Sequence, residues 1–442
     1  MSKAKTLERM SPGLLRVMER ARRDPCERQL ALAHLIDVEA LHRAYNRLRK
    51  HAAVGVDGVT KEAYGKNLEG NLTDLHRRLR EMSYRHQPLR RIRVPKGKGQ
   101  TRPIGISSTE DKIVQGALRE ILEAIYEQDF RDCSHGFRPG RKAHDALLTL
   151  NRVARTGKVS VILEADVQSF FDDVDRPTLR EMLQKRIADK SFMRLVGKCL
   201  RVGVLEGEEF SRPDVGTAQG SIVSPILGNI YLHYALDVWF EDVVKPRLTG
   251  EATLIRYADD FIICFEHRRD AERTKVALEK RMARYKLRLH PDKTRLVEFR
   301  RPPARQQGGK GPGVLDFLGF TIHWRRNLRN PGWHLSWKTR AARLQRAITV
   351  VTDYCRRHRH EPVATQHAAL KRRIQGHFNY FGVNDNTRSL SALQHQAKRA
   401  WHKWLNRRSQ RSRLTWERFN DLLRDFPLPV PRVYANLWDR TP

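Results

Sequence analysis

Residues 254–265 read Leu-Ile-Arg-Tyr-Ala-Asp-Asp-Phe-Ile-Ile-Cys-Phe, two adjacent carboxylates between two apolar runs. Most Asp-Asp pairs are solvated turn residues. Here the flanks are apolar enough to be buried, and burying two like charges costs several kcal/mol unless a cation or donor compensates. An apolar strand, a tight acidic turn and a second apolar strand predict a β-hairpin that presents Asp259 and Asp260 at a sheet edge. A third carboxylate has a similar setting, because Val-Ser-Val-Ile-Leu-Glu-Ala at 159–165 runs as an apolar strand into Asp166. Hard oxygen ligands from separate strands suit Mg²⁺, which is held by a few carboxylates together with substrate phosphates.

The elements that must position these groups can be read at low resolution. Residues 1–52 are charged and helical in pattern, with Leu14, Leu15, Val17 and Met18 on an apolar face, and Gly55-Val56-Asp57-Gly58-Val59 is a turn-rich break. Residues 62–86 read as helix and Leu89–Val94 as a short strand, followed by the flexible basic turn Lys96-Gly97-Lys98-Gly99. Amphipathic helices are expected over 110–129 and 143–155. A strand-bearing segment from about 158 to 323 is interrupted by helices near 176–200, and 306–313 reads as a linker or hairpin tip. After Trp337 the pattern is helical and strongly basic.

Composition narrows the partner class. With 85 Lys+Arg against 50 Asp+Glu, the formal net charge is +35 over 442 residues. Such a field attracts polyanions and supports salt-dependent binding to a nucleic-acid backbone. The 40% hydrophobic content suffices for buried cores. Cys26, Cys133, Cys199, Cys264 and Cys355 are scattered, which argues against a zinc site or disulfide framework and for a reducing cytoplasm. The first thirty residues lack a signal-peptide core, and no run is long enough to span a membrane.

An ordered series of blocks resembles the reverse transcriptases of group II introns. Arg102-Pro103-Ile104-Gly105-Ile106 is followed by Ser134-His135-Gly136-Phe137-Arg138-Pro139-Gly140, then by Asp166 with Phe170-Phe171-Asp172. Gly216-Thr217-Ala218-Gln219-Gly220-Ser221 with Ser224-Pro225 comes next, ahead of Tyr257-Ala258-Asp259-Asp260. His290-Pro291-Asp292-Lys293-Thr294 and Phe317-Leu318-Gly319-Phe320 close the series. The family's Pro-Gln-Gly reads Ala-Gln-Gly here.

The resemblance implies an α+β, right-hand polymerase. Its N-terminal extension and fingers would span 1–157, and its palm 158–325 with a fingers-side helical insertion near 176–215. A helical thumb or maturase region would span 326–395, and a small basic nucleic-acid-binding region 396–442. It also implies residue roles. Asp166 and Asp259 would share two Mg²⁺ ions about 3.5–4 Å apart, with Mn²⁺ able to substitute. Asp260 would complete the charge balance, and Val167 would add its backbone carbonyl. Lys96 and Arg102 would clamp the triphosphate of a dNTP, and Phe171 would lie under its sugar, excluding a 2′-hydroxyl. Gln219 would touch the nucleotide, Lys293 the leaving phosphate or primer, and Arg138 the template or nucleotide.

The basic C-terminal part would face RNA. Gln375-Gly376-His377-Phe378-Asn379-Tyr380-Phe381-Gly382 resembles the maturase-specific thumb region of the family, as does the stretch from Trp401 to Phe419. There Trp401, Trp404, Trp416 and Phe419 interleave with Lys403, Arg407, Arg408, Arg411 and Arg413, a mixture suited to stacking and phosphate contact. Lys371-Arg372-Arg373 forms a further cationic patch. The expected function is RNA-directed DNA synthesis in the service of an intron of the endonuclease-lacking kind. The partners would be structured intron RNA, an RNA template, a DNA primer or target and dNTPs, in a bacterial-type cytoplasm. Two alternatives stand beside it. One is a free-standing, domesticated reverse transcriptase of DNA repair or phage defence; the other is an RNA-binding splicing factor without polymerase activity.

Overall fold

The computed structural model describes residues 10–97, 100–206, 209–211, 216–217, 220–303, 311–327, 332–409 and 413–438, the side chains of 96, 97 and 100 excepted. Among them the chain forms an α+β fold with β1 (Leu89–Gly97), β2 (Gln100–Ile106), β3 (Val161–Asp166), β4 (Val204–Glu206) and β5 (Glu209–Ser211). There follow β6 (Ala252–Tyr257), β7 (Asp260–Phe265), β8 (Arg295–Glu298), β9 (Leu315–Phe317), β10 (Phe320–Arg326) and β11 (Trp333–Thr339). They assemble into three sheets, ordered β2-β1-β4-β5, β6-β7-β3-β8 and β11-β10-β9.

The β6-β7-β3-β8 sheet is buried on both faces. Successive side chains of a strand point to opposite faces. Val161, Leu163 and Ala165 of β3, with Phe261, Ile263 and Phe265 of β7, enter one core, shared with the helices Pro12–Arg23, Val38–Arg47 and Thr109–Tyr126. Ile162, Ile262 and Cys264 enter the other, which runs through Trp324 and Trp337 into the C-terminal helices. Asp166 pairs directly with Asp260, and Ile162 with Cys264. A slip of one residue would exchange the two faces along the whole strand, so the two cores together pin the register.

The helix Thr109–Tyr126 starts where the Ser108 hydroxyl caps the Asp111 N–H at 3.1 Å. Its Ile113, Ala117, Leu118, Ile121, Leu122 and Ile125 are buried against the first core. The helix expected over 62–86 is broken into Lys61–Gly65 and Leu68–Arg80, and Met82 beyond it is left-handed at φ 57°. The C-terminal helices Ala341–Arg357, Val363–Phe381, Thr387–Leu405 and Trp416–Asp425 pack beside β9–β11 through Leu370, Ile374, Phe378, Leu393 and the fully buried Trp401.

Candidate active site

The expected hairpin forms as β6 and β7, paired from Ala252↔Phe265 to Tyr257↔Asp260. Its acidic turn lies at the end of the sheet, and β7 is an interior strand. An interior strand places Asp260 beside Asp166 of the neighbouring β3, which an edge position would not do. By strand parity Asp166 and Asp260 share a face with Glu164. Asp259 precedes them in the turn, after Ala258 at φ 58°.

The electrostatics follow from this crowding. Burial, reinforced by Asp166, Asp259 and Glu164, pushes the Asp260 carboxyl up to about 7, while the Leu318 backbone N–H pulls the other way. Burial also raises Asp259; Asp166 adds to the shift, and the cations of Arg102 and Lys293 oppose it. The Lys293 ammonium hydrogen-bonds the Asp166 carboxylate. It is brought there because the chain past β3 pairs Val167 with Leu289, and the His290 N–H donates to the Asp166 carbonyl at 2.8 Å. Arg102, on β2 opposite Val94, also acts on Asp172. Arg102 of β2 and Lys293 therefore address one acidic centre from two elements.

Among the described residues, no three His, Cys, Asp or Glu side chains form a ready-made metal cage. The donor set still fits a hard divalent cation. Burial, with neighbouring carboxylates adding to it, pushes Asp259 and Asp260 toward neutrality, Asp166 is answered by an ammonium, and Mg²⁺ completes its shell with water and substrate phosphates.

Phe170 and Phe171 are set apart by a helical turn, not by continuation of β3. β3 ends at Asp166, and Phe170–Asp173 is one helical turn. Phe170 is 3% exposed and packs in the core; Phe171 is half-buried, its ring 5.1 Å from that of Phe170. The Phe171 carbonyl accepts from the Thr217 N–H at 2.7 Å, which brings the glycine-rich loop against this turn. At Gly220, φ is 106° and an added Cβ would lie 2.5 Å from the Gly105 carbonyl oxygen of β2, so that loop is wedged between β2 and the Phe171 turn. Gln219, Arg411 and the side chain of Lys96 lie outside the described residues.

Arg138 is a correction. Its side chain is 3% exposed, forks onto Glu127 at 3.0–3.2 Å and donates to the carbonyls of Arg131 and Ser134 at 2.9 Å, so it braces its own loop and does not reach for template. That loop is pressed onto the acidic turn, since a Cβ on Gly136 would stand 2.4 Å from the Ala258 nitrogen. The half-buried Arg408 donates to the carbonyls of Arg359 and Glu361 within the helical region. Arg373 donates to the Ala369 carbonyl and covers the Tyr354 ring at 4.1 Å, which leaves Lys371 and Arg372 as the exposed pair of that patch. Arg407 is exposed and lies over Trp404. Trp401 is core, its indole N–H held by Gln366 at 3.0 Å.

Sequence reasoning missed Glu164, the Leu318 amide and Arg256. Only Arg256 carried a signal, as a lone cation inside an apolar run. Leu318 and Ala258 belong to a group with Phe137 and Ser169: each is a non-glycine residue at φ 46–58° in a motif block around the carboxylates. Such strain persists only where the surroundings over-determine the backbone.

Residues 94–322 match the family model described as reverse transcriptase (RNA-dependent DNA polymerase). The chain is 34% identical over 225 residues to the group II intron-encoded protein LtrA of Lactococcus lactis subsp. cremoris, covering 49% of this chain and 37% of that protein. It is 32% identical over 275 residues to protein YkfC of Escherichia coli, covering 55% of this chain and 71% of YkfC. A putative COX1/OXI3 intron 1 protein of Saccharomyces cerevisiae is 32% identical over 222 residues, 50% of this chain and 26% of that protein. The match thus spans well under half the length of the lactococcal and yeast relatives. The sheet-end carboxylates, the blocks packed around them and these likenesses agree that the chain belongs to the reverse transcriptase family, in its group II intron type.

Proposed function

We propose that this protein is an RNA-directed DNA polymerase that binds a group II intron RNA, assists its splicing and copies it into DNA. The observation that carries the reading is the meeting of Asp166, Asp259 and Asp260 at one sheet end, faced by Lys293 and by Arg102 from a separate sheet. The layout is that of a right hand: fingers within 1–157, palm within 158–325, helical thumb within 326–395 and a basic region within 396–442.

Asp166 and Asp259, with Asp260 and the Val167 carbonyl, would hold two Mg²⁺ ions. When bound, these lower the pKa of the primer 3′-hydroxyl and neutralise charge on the transferring phosphoryl group. Arg102 and Lys96 bring positive charge to the triphosphate, and Lys293 faces the leaving phosphate. As nucleotide enters, Lys293 exchanges its partner on Asp166 for phosphate oxygen. Phe171 is half-buried in the helical turn after β3, where a flat ring would exclude a ribose 2′-hydroxyl; Gln219 would contact the nucleotide. Lys371, Arg372 and Arg407 give the RNA backbone exposed cations. No helix among the described residues is long and apolar enough to cross a membrane.

Primer extension on an RNA template, with dNTPs and Mg²⁺, tests the polymerase reading. Wild type extends and Asp259→Ala does not. Filter binding with a group II intron RNA against random RNA of equal length tests the intron reading, which fails if the two bind alike.

A further inference from the structure

The acidic turn has an anchor that the chemistry above leaves unused. Arg256 and Asp237 form an ion pair in which both side chains are 0% exposed. The Arg256 Nε donates to Asp237 Oδ1 at 2.7 Å and Nη2 to Asp237 Oδ2 at 2.5 Å. Nη2 also donates to Ser134 Oγ at 2.8 Å, and Nη1 to Asn229 Oδ1 and to the Ala258 carbonyl, each at 3.0 Å. A guanidinium carries five N–H donors, so every one has its own acceptor. Asn229 continues the network through Nδ2 to the Gly136 carbonyl at 2.7 Å. The backbone joins in: the His135 N–H donates to the Arg256 carbonyl, and the Arg256 N–H to the Cys133 carbonyl, both at 2.8 Å.

One planar group thus ties together the Ser134–Gly136 loop, the helix Ser224–Leu232, the wide π-helical turn His233–Asp237 that follows it, and the turn holding Asp259. A buried ion pair is a weak device for stability, since apolar residues of similar volume often do as well or better. What apolar residues cannot supply is a donor for the Ala258 carbonyl. Ala258 is the left-handed residue at φ 58° next to Asp259, and the direction of its peptide sets where the Asp259 carboxylate goes. A π-helical turn is a rare local geometry that recurs at functional sites, and here it aims Asp237 at the guanidinium.

We propose that Arg256 is a positioning residue for the metal site: it fixes the Ala258 peptide so that Asp259 meets Asp166 across the sheet end, and Asp237, Asn229 and Ser134 hold Arg256 in turn. The proposal rests on the polymerase reading for its assay. Its metal-binding readout is independent of activity. The probe is Mn²⁺, titrated against the intact protein by its paramagnetic signal, with Asp259→Ala defining binding elsewhere on the surface. Half-saturating Mg²⁺ in primer extension, kcat and the KM for primer–template are measured in parallel, and folding is followed by urea unfolding.

In Arg256→Lys the charge stays but the fork is lost, because an ammonium presents three donors from one point. Half-saturating Mn²⁺ and Mg²⁺ should rise about tenfold or more, the scale found when a group that orients a metal ligand is removed. The maximal rate should fall and the KM for primer–template stay as it was. Ser134→Ala keeps the ion pair and removes one donor's partner, so a roughly two- to tenfold rise is expected in a folded protein. It decides the matter where Arg256→Lys fails to fold. Wild-type metal affinity in a folded Arg256→Lys overturns the proposal, as does unchanged affinity in Ser134→Ala when the lysine variant does not fold. Wild-type Mn²⁺ binding no tighter than that of Asp259→Ala also overturns it. A weakened Mn²⁺ site in a protein whose wild type extends no primer would sink the polymerase reading and leave the positioning role standing.

Discussion

The sheet end around Asp259 and the helical region after Trp337 use charge in opposite ways. At the sheet end, charged groups are individually partnered, Arg256 with Asp237 and Arg138 with Glu127 in the buried interior and the exposed Lys293 with Asp166 at the site's mouth. In the helical region, Lys371, Arg372 and Arg407 stand exposed, and the aromatics near them are either core, as Trp401, or covers for cations, as Trp404. A buried charge acts through a fixed geometry in a low dielectric, so one substitution can remove the whole effect. Exposed cations act through a summed field on a polyanion, so each contributes a similar, salt-screened share. Substitutions at the sheet end should therefore be steep and specific, and those on the helices shallow and additive.

The sharpest break of this contrast is Asp259→Ala. It should lower primer extension by roughly a thousandfold or more, since the carboxylate supports several kcal/mol of charge stabilisation. RNA affinity should stay within a few-fold of wild type, because one charge is a small part of the +35 field. Near wild-type extension would refute the site. The two phenylalanines give the next largest effects. Phe170→Ala should cost about 3–5 kcal/mol of stability in urea unfolding. Phe171→Ala should leave the fold nearly intact and raise ribonucleotide use relative to dNTP use by roughly tenfold or more, a steric barrier having been removed. Equal sugar discrimination in wild type and Phe171→Ala would remove the gate.

On the helices, Lys371→Gln with Arg372→Gln should flatten the slope of log affinity for intron RNA against log salt by roughly 0.7–0.9 per residue. Arg373→Gln should change the slope less, because its guanidinium is held over Tyr354. Equal changes at all three would erase the distinction. The smallest effect concerns pH. Burial holds His233 down to about 4, so it stays neutral in the fold, whereas an unfolded histidine titrates near 6.5. A depressed folded pKa contributes stability that is complete above about 6.5 and is lost as pH falls toward 4. Between pH 7.5 and 5 this is roughly 2 kcal/mol. Asp260, pushed up to about 7, works in the opposite sense, so the measurement is the difference between wild type and His233→Leu. The wild type should lose more of its urea stability over that range, and identical losses would refute the assignment.

Much of the site was legible because its signals are local. Asp259 and Asp260 between apolar runs, and Asp166 at the end of another, follow from burial and charge over a dozen residues each. The helix expected at 143–155 appears as Ala143–Arg155, where apolar periodicity alone decides. Arg138 was misjudged for a physical reason. A cation in a motif block looks the same in sequence whether its acceptor is a phosphate or a carbonyl of its own chain. Arg256 illustrates the complementary gap: its acceptors come from residues 134, 229, 237 and 258, a set that no window of sequence contains.

By itself, then, the sequence determined the identity of the acidic residues, the strand and helix segments that carry them, and a cationic surface suited to nucleic acid. These depend on composition and short-range periodicity. Tertiary structure alone decided that β7 lies inside the sheet and pairs Asp260 with Asp166, that Phe170 and Phe171 part on a helical turn, and that Arg138 is consumed internally. Those outcomes depend on long-range register and on competition for buried acceptors, and both are settled only when distant segments pack against one another.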